Sequence, residues 1–555
     1  MDDKVSELVV RGRIISVTGR PDGSLMVVRG GRIESIDDLD DARDAEGRGA
    51  ASLDFQGRAI VPGFVDPHVH LELLAAAEAR AVDCRYPSCK TIDDVISRLK
   101  GALHSVAPGG WLLAYGNLFF DQKLADRRLP SRVELDSVSL DVPIQIACGG
   151  HTSVLNSRAL ELAGVDRFLN GAAGLWGSPV VQIGDDGRPT GVVSEIDQLL
   201  PIPPIDSTLL MAQLAETYAA EFLRHGVTTV GEMLDNEASA GRYQDLVASG
   251  RFAGRVAMYA LVPSAFPLRE AIDWVADYES AVGVDRVRAN GIKLFADGGY
   301  SARNAATRTP YVAEHAPHSG YCGRLNLTRS EIAEAIAAAR LRHVQVAIHA
   351  NGPRAQDEVV GAILDLGEPH KYPPTRVEHA GNLVNERRDL EQFRKANCSL
   401  VLQPGFLHNF MADFVPMILG DAGTRGRLPL RSILDDGMRP AASSDVGPGA
   451  ELEQSRPMFS IWECMARRSY WDLHIEPAEA ISFAEALRIH TIEGARVLGM
   501  DGIVGSLDPG KAADFVVLDG DPRDVPMSAI RTMNVHSVFV DGVCVLPPDG
   551  VAHEG

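Results

Sequence analysis

The chain contains 555 residues, of which 45% are apolar and 23% are charged, and it carries a formal net charge of −21. A chain of this length can bury more than one hydrophobic core, so several domains are expected. The acidic balance argues against nucleic acid or an anionic membrane surface as a partner. No apolar run in the sequence approaches the roughly 20 residues that a membrane-spanning helix requires.

The cysteines and the first residues indicate the cellular compartment. Seven cysteines are scattered along the chain without a CxxC pair, which is typical of reduced thiols rather than of a disulfide framework. The opening MDDKVSELVV lacks the cationic start and apolar core of a signal peptide. We therefore expect a cytoplasmic protein.

Both ends of the chain have β-type sequence. Residues 5–60 are short alternating segments separated by Gly-rich turns, and similar segments return at 506–522 and 535–548. Neither end is long enough to close a core alone. The pattern predicts one small β-sandwich built from both termini, residues 1–61 and 497–555.

Between the two ends, eight apolar runs alternate with helical sequence. Strands that alternate with helices predict a parallel sheet, and eight such units predict an α/β fold of the (β/α)8 TIM-barrel type. We assign residues 62–74 and 206–496 to this barrel. The runs are FVDPHVH (64–70), GVTTVGEM (226–233), RVAMYALV (255–262), GIKLFADG (291–298), VQVAIHA (344–350), TRVEHA (375–380), CSLVLQP (398–404) and MRPAASSD (438–445).

The segment between the first two barrel strands is far too long for a single helix. It has a strand-like stretch, PIQIACGG, and a helix-like stretch, NSRALELAG, and it ends at the Pro-rich PIPPID, residues 201–206. Residues 75–205 are therefore predicted to form a long insertion after the first barrel strand, a subdomain that covers the barrel mouth.

The stretch VPGFVDPHVH, residues 61–70, contains the pattern His68-Val69-His70. Side chains alternate along a strand, so His68 and His70 point the same way and form half of a transition-metal site. Taken alone, the pair could equally be hydrogen-bonded core histidines. However, further polar residues stand at the ends of other strands, where a barrel places its active site: Lys293, His349, His379 and Asp445.

These motifs resemble those of the amidohydrolase superfamily over nearly the whole chain. VPGFVDPHVHL, GIKLFADGG, AIHANG, RVEHA and SSDVG look like its strand motifs, and GSLDPGKAADFVVLD looks like its return to the sandwich. The insertion, with GWLLAYGN and GGHTSVLNSRALELAG, and the phrase KLFADGGYSARNAA are similar to the N-substituted formamide deformylase-like branch, also called YtcJ-like or amidohydrolase 3.

The resemblance implies a binuclear metal centre with two divalent ions, usually Zn²⁺. His68, His70 and Asp445 would hold one ion, and His349 and His379 the other. Lys293 would bridge both as a carboxylated lysine, a carbamate formed with carbon dioxide, because a free ammonium would be repelled by two cations. A metal-bridging hydroxide would then attack the substrate, with Asp445 as the proton shuttle.

Several residues remain as alternatives or additions to this set. Glu232 ends the second strand and could bridge the metals in place of Lys293. It could instead orient a ligating histidine through a hydrogen bond to the ring nitrogen that does not bind metal. Asn117, His151 and His408 are candidate substrate-binding residues. His151 lies in the insertion and would reach the mouth as part of a lid, unless the insertion is a surface subdomain. The aromatic residues near these candidates could line an apolar pocket or belong to the core: Phe119, Phe120, Phe406 and Phe410.

The resulting functional prediction is a zinc-dependent hydrolase of small molecules with an amide-type carbon–nitrogen bond other than a peptide bond. Two alternatives stay open, a metal-dependent heterocycle deaminase and a non-catalytic relative. Against the deaminase, HANGPRAQD after the fifth strand shows no acidic residue where ring deaminases of this superfamily tend to place a proton shuttle. Against the non-catalytic relative, the full ligand set is present. A homodimer is an open possibility for the assembly.

Overall fold

Eight parallel strands lie side by side at the centre of the computed structural model, which describes residues 7–168 and 179–548. In sheet order they are Phe64–Val69, Val227–Leu234, Arg255–Leu261, Val287–Phe295, Gln345–His349, Arg376–Glu378, Ser399–Leu402 and Ala441–Ala442. The first and last strands are joined just beyond the short eighth strand, where the Asp445 amide donates to the His68 carbonyl at 3.0 Å and the His70 amide donates to the Val446 carbonyl at 2.8 Å. The predicted barrel is confirmed.

Most residues of the barrel strands are buried, because a parallel sheet of this kind is covered on both faces. The covering helices begin at sequence signals that stabilise a first turn. Thr328 and Glu331 form a reciprocal capping box at the start of Arg329–Leu341, and Pro353 occupies the first turn of Pro353–Leu366. The other helices of the barrel region are Leu71–Arg80, Ser207–Thr217, Ala238–Ala248, Leu268–Asp277, Arg387–Lys395, Phe414–Gly423, Leu430–Asp435, Pro457–Ala466, Phe483–Ile489 and Ile492–Val497.

The two ends of the chain share one hydrogen-bonded sheet of seven strands. Strand Ala51–Pro62 joins them, since it pairs in parallel with Glu7–Ile14 and antiparallel with Phe515–Leu518. The remaining strands are Gly23–Arg29, Arg32–Ile36, Val535–Val540 and Val543–Leu546, and the short helices are Leu39–Gly47 and Met527–Ile530. The two termini therefore share one β-sheet, and its closure into a sandwich stays a prediction.

A single residue, Gly63, separates this terminal sheet from the first barrel strand. A Cβ atom at Gly63 would lie 2.2 Å from the Thr228 hydroxyl, closer than any side chain tolerates. Glycine is therefore required here for the terminal sheet to pass directly into the barrel, so that His68 and His70 follow within a few residues.

The insertion folds around its own six-stranded mixed sheet. Its strands, in sheet order, are Val180–Ile183, Pro189–Ser194, Thr152–Leu155, Ile144–Cys148, Leu112–Gly116 and Val82–Asp83. Helices Ile92–Ala102, Phe120–Lys123, Arg132–Asp136 and Ser157–Ala163 accompany it, and a separate apolar cluster that includes Ile92, Leu112 and Ile144 stabilises it. The insertion thus has a core of its own.

The domain limits given above stay predictions. Residues 1–6 and 549–555 of the predicted terminal unit, and residues 169–178 of the predicted insertion, lie outside the described residues. Among the described helices, none combines the length and the apolar character needed to cross a membrane.

Candidate metal centre

One cavity at the carboxyl-terminal ends of the barrel strands brings together all six predicted metal ligands. Its volume is about 130 Å³, and its lining includes His68, His70, Lys293, His349, His379 and Asp445. Four of these side chains are almost completely shielded from solvent, with His68 and Lys293 each 1% exposed and His349 and His379 each 3% exposed. Strands that are distant in sequence therefore place nitrogen and oxygen donors in one desolvated space.

The closest grouping of donors consists of His68, His379 and Asp445, which place one ligand atom each within 4.8 Å of one another. Asp445 Oδ1 lies 3.3 Å from His68 Nε2 and 3.4 Å from His70 Nε2. Imidazole nitrogens and a carboxylate at such spacing are ligands that zinc and similar ions prefer. The donor set therefore fits a divalent metal ion.

His68 is held by a carboxylate behind the ring. Its Nδ1 lies 2.7 Å from Glu378 Oε2, so the ring donates this N–H and keeps the Nε2 lone pair for the cavity. Arg376 in turn donates to both Glu378 oxygens at 2.8 and 3.0 Å, and to the Pro67 carbonyl at 2.8 Å. A fully buried ion pair thus fixes the orientation of this histidine.

Glu378 and Arg376 were not predicted from the sequence to belong to the site. Both lie in the motif RVEHA that carried part of the resemblance. A charged pair two residues apart inside an otherwise apolar buried strand is a signal that could have found them, because such charges must be paired on one face of the strand.

The other two strand-end histidines are also oriented by neighbours. His379 Nδ1 lies 2.8 Å from Gln403 Oε1, which leaves Nε2 as its acceptor nitrogen. His349 Nε2 lies 3.2 Å from the Gly298 carbonyl, which leaves Nδ1 as the acceptor nitrogen of this ring. The rings of His349 and His379 are 4.6 Å apart, and those of His379 and His68 are 5.4 Å apart. His379 therefore stands between the two halves of the site.

Backbone strain accompanies this arrangement. His379 and Asp445 adopt φ angles of 69° and 52°, in the left-handed region that residues with a side chain avoid. Both follow the end of a barrel strand, and the turn directs each side chain into the cavity. The surrounding hydrogen bonds keep these conformations in place.

The electrostatics of the cavity favour the forms that bind metal. Burial, with the nearby Lys293 charge, holds the pKa of His68 well below its usual value, so the imidazole is neutral. Burial would raise the pKa of Asp445, but His68 and the hydrogen bond from His70 outweigh it and lower that pKa, so the carboxylate is ionised. Neutral imidazoles beside an ionised carboxylate are the ligand forms required.

Lys293 lies within the cavity, with Nζ 3.2 Å from His68 Nε2. Burial lowers its pKa to about 8. Within the described part of the chain, no carboxylate lies within 4.0 Å of this amine to form an ion pair. An amine with a lowered pKa is partly neutral near pH 7, which is the form that reacts with carbon dioxide.

Glu232 has a different position. Its carboxylate accepts from the amides of Leu71 and Glu72 at 2.8 and 3.0 Å, at the start of helix Leu71–Arg80. It is fully buried and does not belong to the cavity lining. Glu232 thus anchors the helix that follows His70, and Lys293 is the group placed next to the predicted metal ligands.

Of the three candidate substrate-binding residues, His151 lines the cavity. Its Nδ1 lies 3.1 Å from Glu195 Oε1, an oxygen that also accepts from Asn304 Nδ2 at 2.6 Å. The insertion therefore contributes an imidazole that a carboxylate holds above the ring of His349, 5.5 Å away.

Asn117 and His408 are not among the residues that line the cavity. Asn117 accepts from the Tyr86 amide at 2.6 Å and donates to Glu451 at 2.9 Å. His408 donates from Nδ1 to the Arg468 carbonyl at 3.0 Å. Both side chains thus have partners within the fold.

Aromatic residues form the apolar wall of the cavity. Phe119, Phe406 and Phe410 line it, and the rings of Phe119 and Phe410 stack with centroids 5.3 Å apart. Phe120 packs instead in the core of the insertion. Tyr300, Ser301, Asn351 and Gln454, none of which was predicted from the sequence, also line the cavity.

The chain is similar to proteins of one family over nearly its whole length. The profile of the family described as "Amidohydrolase family" matches residues 52–546. An N-substituted formamide deformylase of Arthrobacter pascens is 27% identical, with 97% of each chain covered, and the putative amidohydrolase YtcJ of Bacillus subtilis is 24% identical, covering 89% of this chain and 90% of its own. A crystal structure of an uncharacterised metal-dependent hydrolase from Pyrococcus horikoshii has the same fold, with a TM-score of 0.71, 22% identity, and coverage of 94% and 99%.

Proposed function

The chain belongs to the amidohydrolase family, and we propose that it is a metal-dependent hydrolase that cleaves an amide-type carbon–nitrogen bond, other than a peptide bond, in a small molecule. The observation that carries this proposal is the convergence of six metal-type ligands from five barrel strands in one shielded cavity. The N-substituted formamide deformylase of Arthrobacter pascens suggests substituted formamides as the first substrates to test.

The residues present fit two divalent ions, and zinc suits a set of imidazole and carboxylate ligands. His68, His70 and Asp445 would hold one ion, and His349 and His379 the other. Lys293, as a carbamate, would bridge them. Such ions, when bound, lower the pKa of water towards neutrality and polarise a carbonyl group.

The protein groups then bind the substrate and move one proton. Asp445 accepts the proton of the attacking water and delivers it to the nitrogen of the departing amine. Its carboxylate suits this role because it is ionised and lies next to the imidazoles of His68 and His70. Glu378 and Gln403 keep the rings of His68 and His379 in place while Asp445 accepts and delivers the proton.

The apolar and polar walls serve substrate positioning. Phe119, Phe406 and Phe410 exclude water from one side, and His151, held by Glu195, faces the cavity from the insertion. Exclusion of water strengthens electrostatic interactions at the reacting carbonyl.

The test combines metal analysis with product analysis. Purified protein should contain about two zinc ions per chain and release free amine from at least one member of a panel of N-substituted formamides, acetamides and lactams. Aminopurines belong in the same panel. Release of ammonia from an aminopurine, with all amides unreactive, would replace this proposal by the deaminase, and active protein without metal would overturn it.

A further inference from the structure

A second, larger cavity adjoins the metal cavity, and we call it the side chamber. Its volume is about 460 Å³, and it lies between helix Leu71–Arg80, strands Leu112–Gly116 and Ile144–Cys148 of the insertion, and the loops after the second and third barrel strands. Leu73, Gly149, Gly150 and Pro448 line both cavities. The side chamber is thus the neighbouring space into which a substrate could extend from the metal cavity.

The size of the metal cavity makes such an extension necessary for any but the smallest substrates. Its volume of about 130 Å³ is below the range of roughly 300–1,000 Å³ that is usual for small-molecule sites. The side chamber, at about 460 Å³, lies within that range. The metal cavity therefore accommodates the reacting group, while the side chamber has the room for a substituent.

Small apolar side chains form much of the chamber wall. Ala76 and Ala77 come from helix Leu71–Arg80, and Ala114 and Ala147 come from two neighbouring strands of the insertion sheet. Alanine leaves space that a larger residue would fill, and its methyl group offers an apolar surface. An aliphatic chain or a ring placed there would be removed from water, which is favourable.

The chamber also contains a carboxylate that has no partner among the described residues. Asp235, directly after the second barrel strand, lines the chamber. Among the residues that the structure describes, none donates a hydrogen bond to it or forms an ion pair with it. Burial raises the pKa of Asp235 to about 7, with the nearby Glu72 acting in the same direction. An unpaired carboxylate in such surroundings gains most from a cationic partner.

The groups around Asp235 reinforce this negative character. Asp197 also lines the chamber and accepts from Gln145 at 2.6 Å through one oxygen, while its other oxygen has no partner within the described chain. Arg80 also lines the chamber, but it is exposed, and its guanidinium donates to the Pro203 carbonyl at 2.8 Å. Glu72 is paired with Arg242.

We propose that the side chamber binds the distal part of the substrate, and that this part is an apolar chain or ring that ends in an ammonium group paired with Asp235. This inference rests on the proposed function, since it names the substrate class of the same site. The enzyme would thus prefer amides that carry a second, cationic nitrogen several carbon atoms away from the scissile bond.

Kinetics with two amides of equal length test the charge. N-(6-aminohexyl)formamide carries the ammonium group, and N-heptylformamide replaces it by a methyl group. We expect kcat/KM to be at least about tenfold higher for the charged amide, and Asp235→Asn to remove most of this advantage. The matched control is Asp245→Asn, an exposed aspartate on helix Ala238–Ala248, which should keep the advantage unchanged.

Filling the chamber tests its size. Ala77→Phe should raise KM for both long formamides severalfold more than for N-methylformamide, whereas Ala79→Phe, on the same helix but not in the chamber lining, should affect all three alike. Circular dichroism checks that each variant is folded. If Ala77→Phe is not folded, the kcat/KM values of Asp235→Asn for the two long formamides decide whether the inference holds. Equal kcat/KM values for the two long formamides, unchanged by Asp235→Asn, would overturn the inference.

A binding measurement separates this inference from the proposed function. Calorimetry should detect binding of 1,6-diaminohexane to the parent protein and to Asp245→Asn, and at least tenfold weaker binding to Asp235→Asn. If no amide is hydrolysed and the diamine still binds through Asp235, the proposed function is wrong and the cation site stands. If formamides are hydrolysed and the diamine does not bind, the side chamber has been assigned the wrong ligand.

Discussion

The two ends of the barrel both bury charged groups, but they do so in opposite ways. At the amino-terminal end, Arg255 donates to Asp514 at 2.7 and 2.8 Å and to the Asp285 carbonyl at 3.0 Å, and it also contacts Asp541. At the carboxyl-terminal end, the lone pairs of His68, His379 and Asp445 face one another. Arg255 at one end and His68 at the other are both buried.

The difference lies in how the polar groups are satisfied. The Arg255 cluster places a donor with five N–H groups among carboxylates and a carbonyl, so it needs nothing else and joins the terminal sheet to the barrel. The cluster at the mouth consists mainly of acceptors. The Lys293 amine lies 3.2 Å from His68 Nε2, and a metal ion placed among the ligands would satisfy the remaining lone pairs. A buried polar cluster that is complete indicates a structural role, and one that lacks a partner indicates a ligand.

The largest expected effect comes from Asp445→Asn, which keeps the shape and one oxygen but cannot accept the proton. Loss of a general base costs about 10²–10⁴-fold in rate, and kcat and kcat/KM should fall together. Steady-state kinetics and metal analysis on the same preparation measure this. Most of the zinc should remain, and near-normal turnover would show that another group moves the proton.

The second prediction breaks the complete cluster. Arg255→Met removes a buried cation and leaves Asp514 and Asp541 without it, which should lower the free energy of unfolding by about 3–5 kcal/mol. Denaturant unfolding measures the loss. Protein that remains folded should contain as much metal per chain as the parent, because this cluster does not touch the cavity. Loss of metal from folded Arg255→Met would contradict the separation of the two ends.

The third prediction concerns Lys293. Lys293→Ala removes the proposed bridge, so activity should fall by about 10²-fold or more and metal content should fall with it. Short carboxylic acids, which can replace a carbamate, should restore part of the activity. Lys293→Ala with full metal content and full activity would show that this residue does not bridge.

The fourth prediction alters a group that orients a ligand without touching the metal. Glu378→Gln keeps the size of the side chain but removes the charge that holds His68 Nδ1 and pairs with Arg376. Partners of this kind typically contribute about 10–100-fold to metal affinity or activity. Competition with a chelator gives the metal affinity. An unchanged affinity would mean that the hydrogen bond to His68 has no part in holding the ion.

The smallest expected effect is a pH dependence at the structural end. Burial alone would raise the pKa of Asp541, but Arg255 and Arg286 outweigh it and lower the pKa below its usual value. A lowered folded-state pKa stabilises the protein above the unfolded value of about 3.9, and this stabilisation is lost as the pH falls through the folded-state pKa. Asp541→Asn should therefore reduce the difference in stability between pH 6 and pH 3, by less than about 1 kcal/mol. An unaltered difference would show that Asp541 does not contribute.

The sequence alone determined which strands form the barrel and which residues lie at their carboxyl-terminal ends. Period-two alternation places His68 and His70 on one face, and the ends of parallel strands meet at one mouth, so local patterns suffice to bring Lys293, His349, His379 and Asp445 to the same place. The pairing of the two termini was also predictable, since neither end has enough strands for a core.

The tertiary structure decided which carboxylate serves which purpose. Glu232 and Glu378 both lie near the end of a buried strand, yet Glu232 anchors the helix that follows His70, and Glu378 holds His68 from 310 residues away in sequence. The side chamber likewise exists only because the insertion sheet stands beside helix Leu71–Arg80. Hydrophobic periodicity specifies the face of a strand that is buried, but the partner of a buried charge depends on contacts between distant segments, which no local pattern encodes.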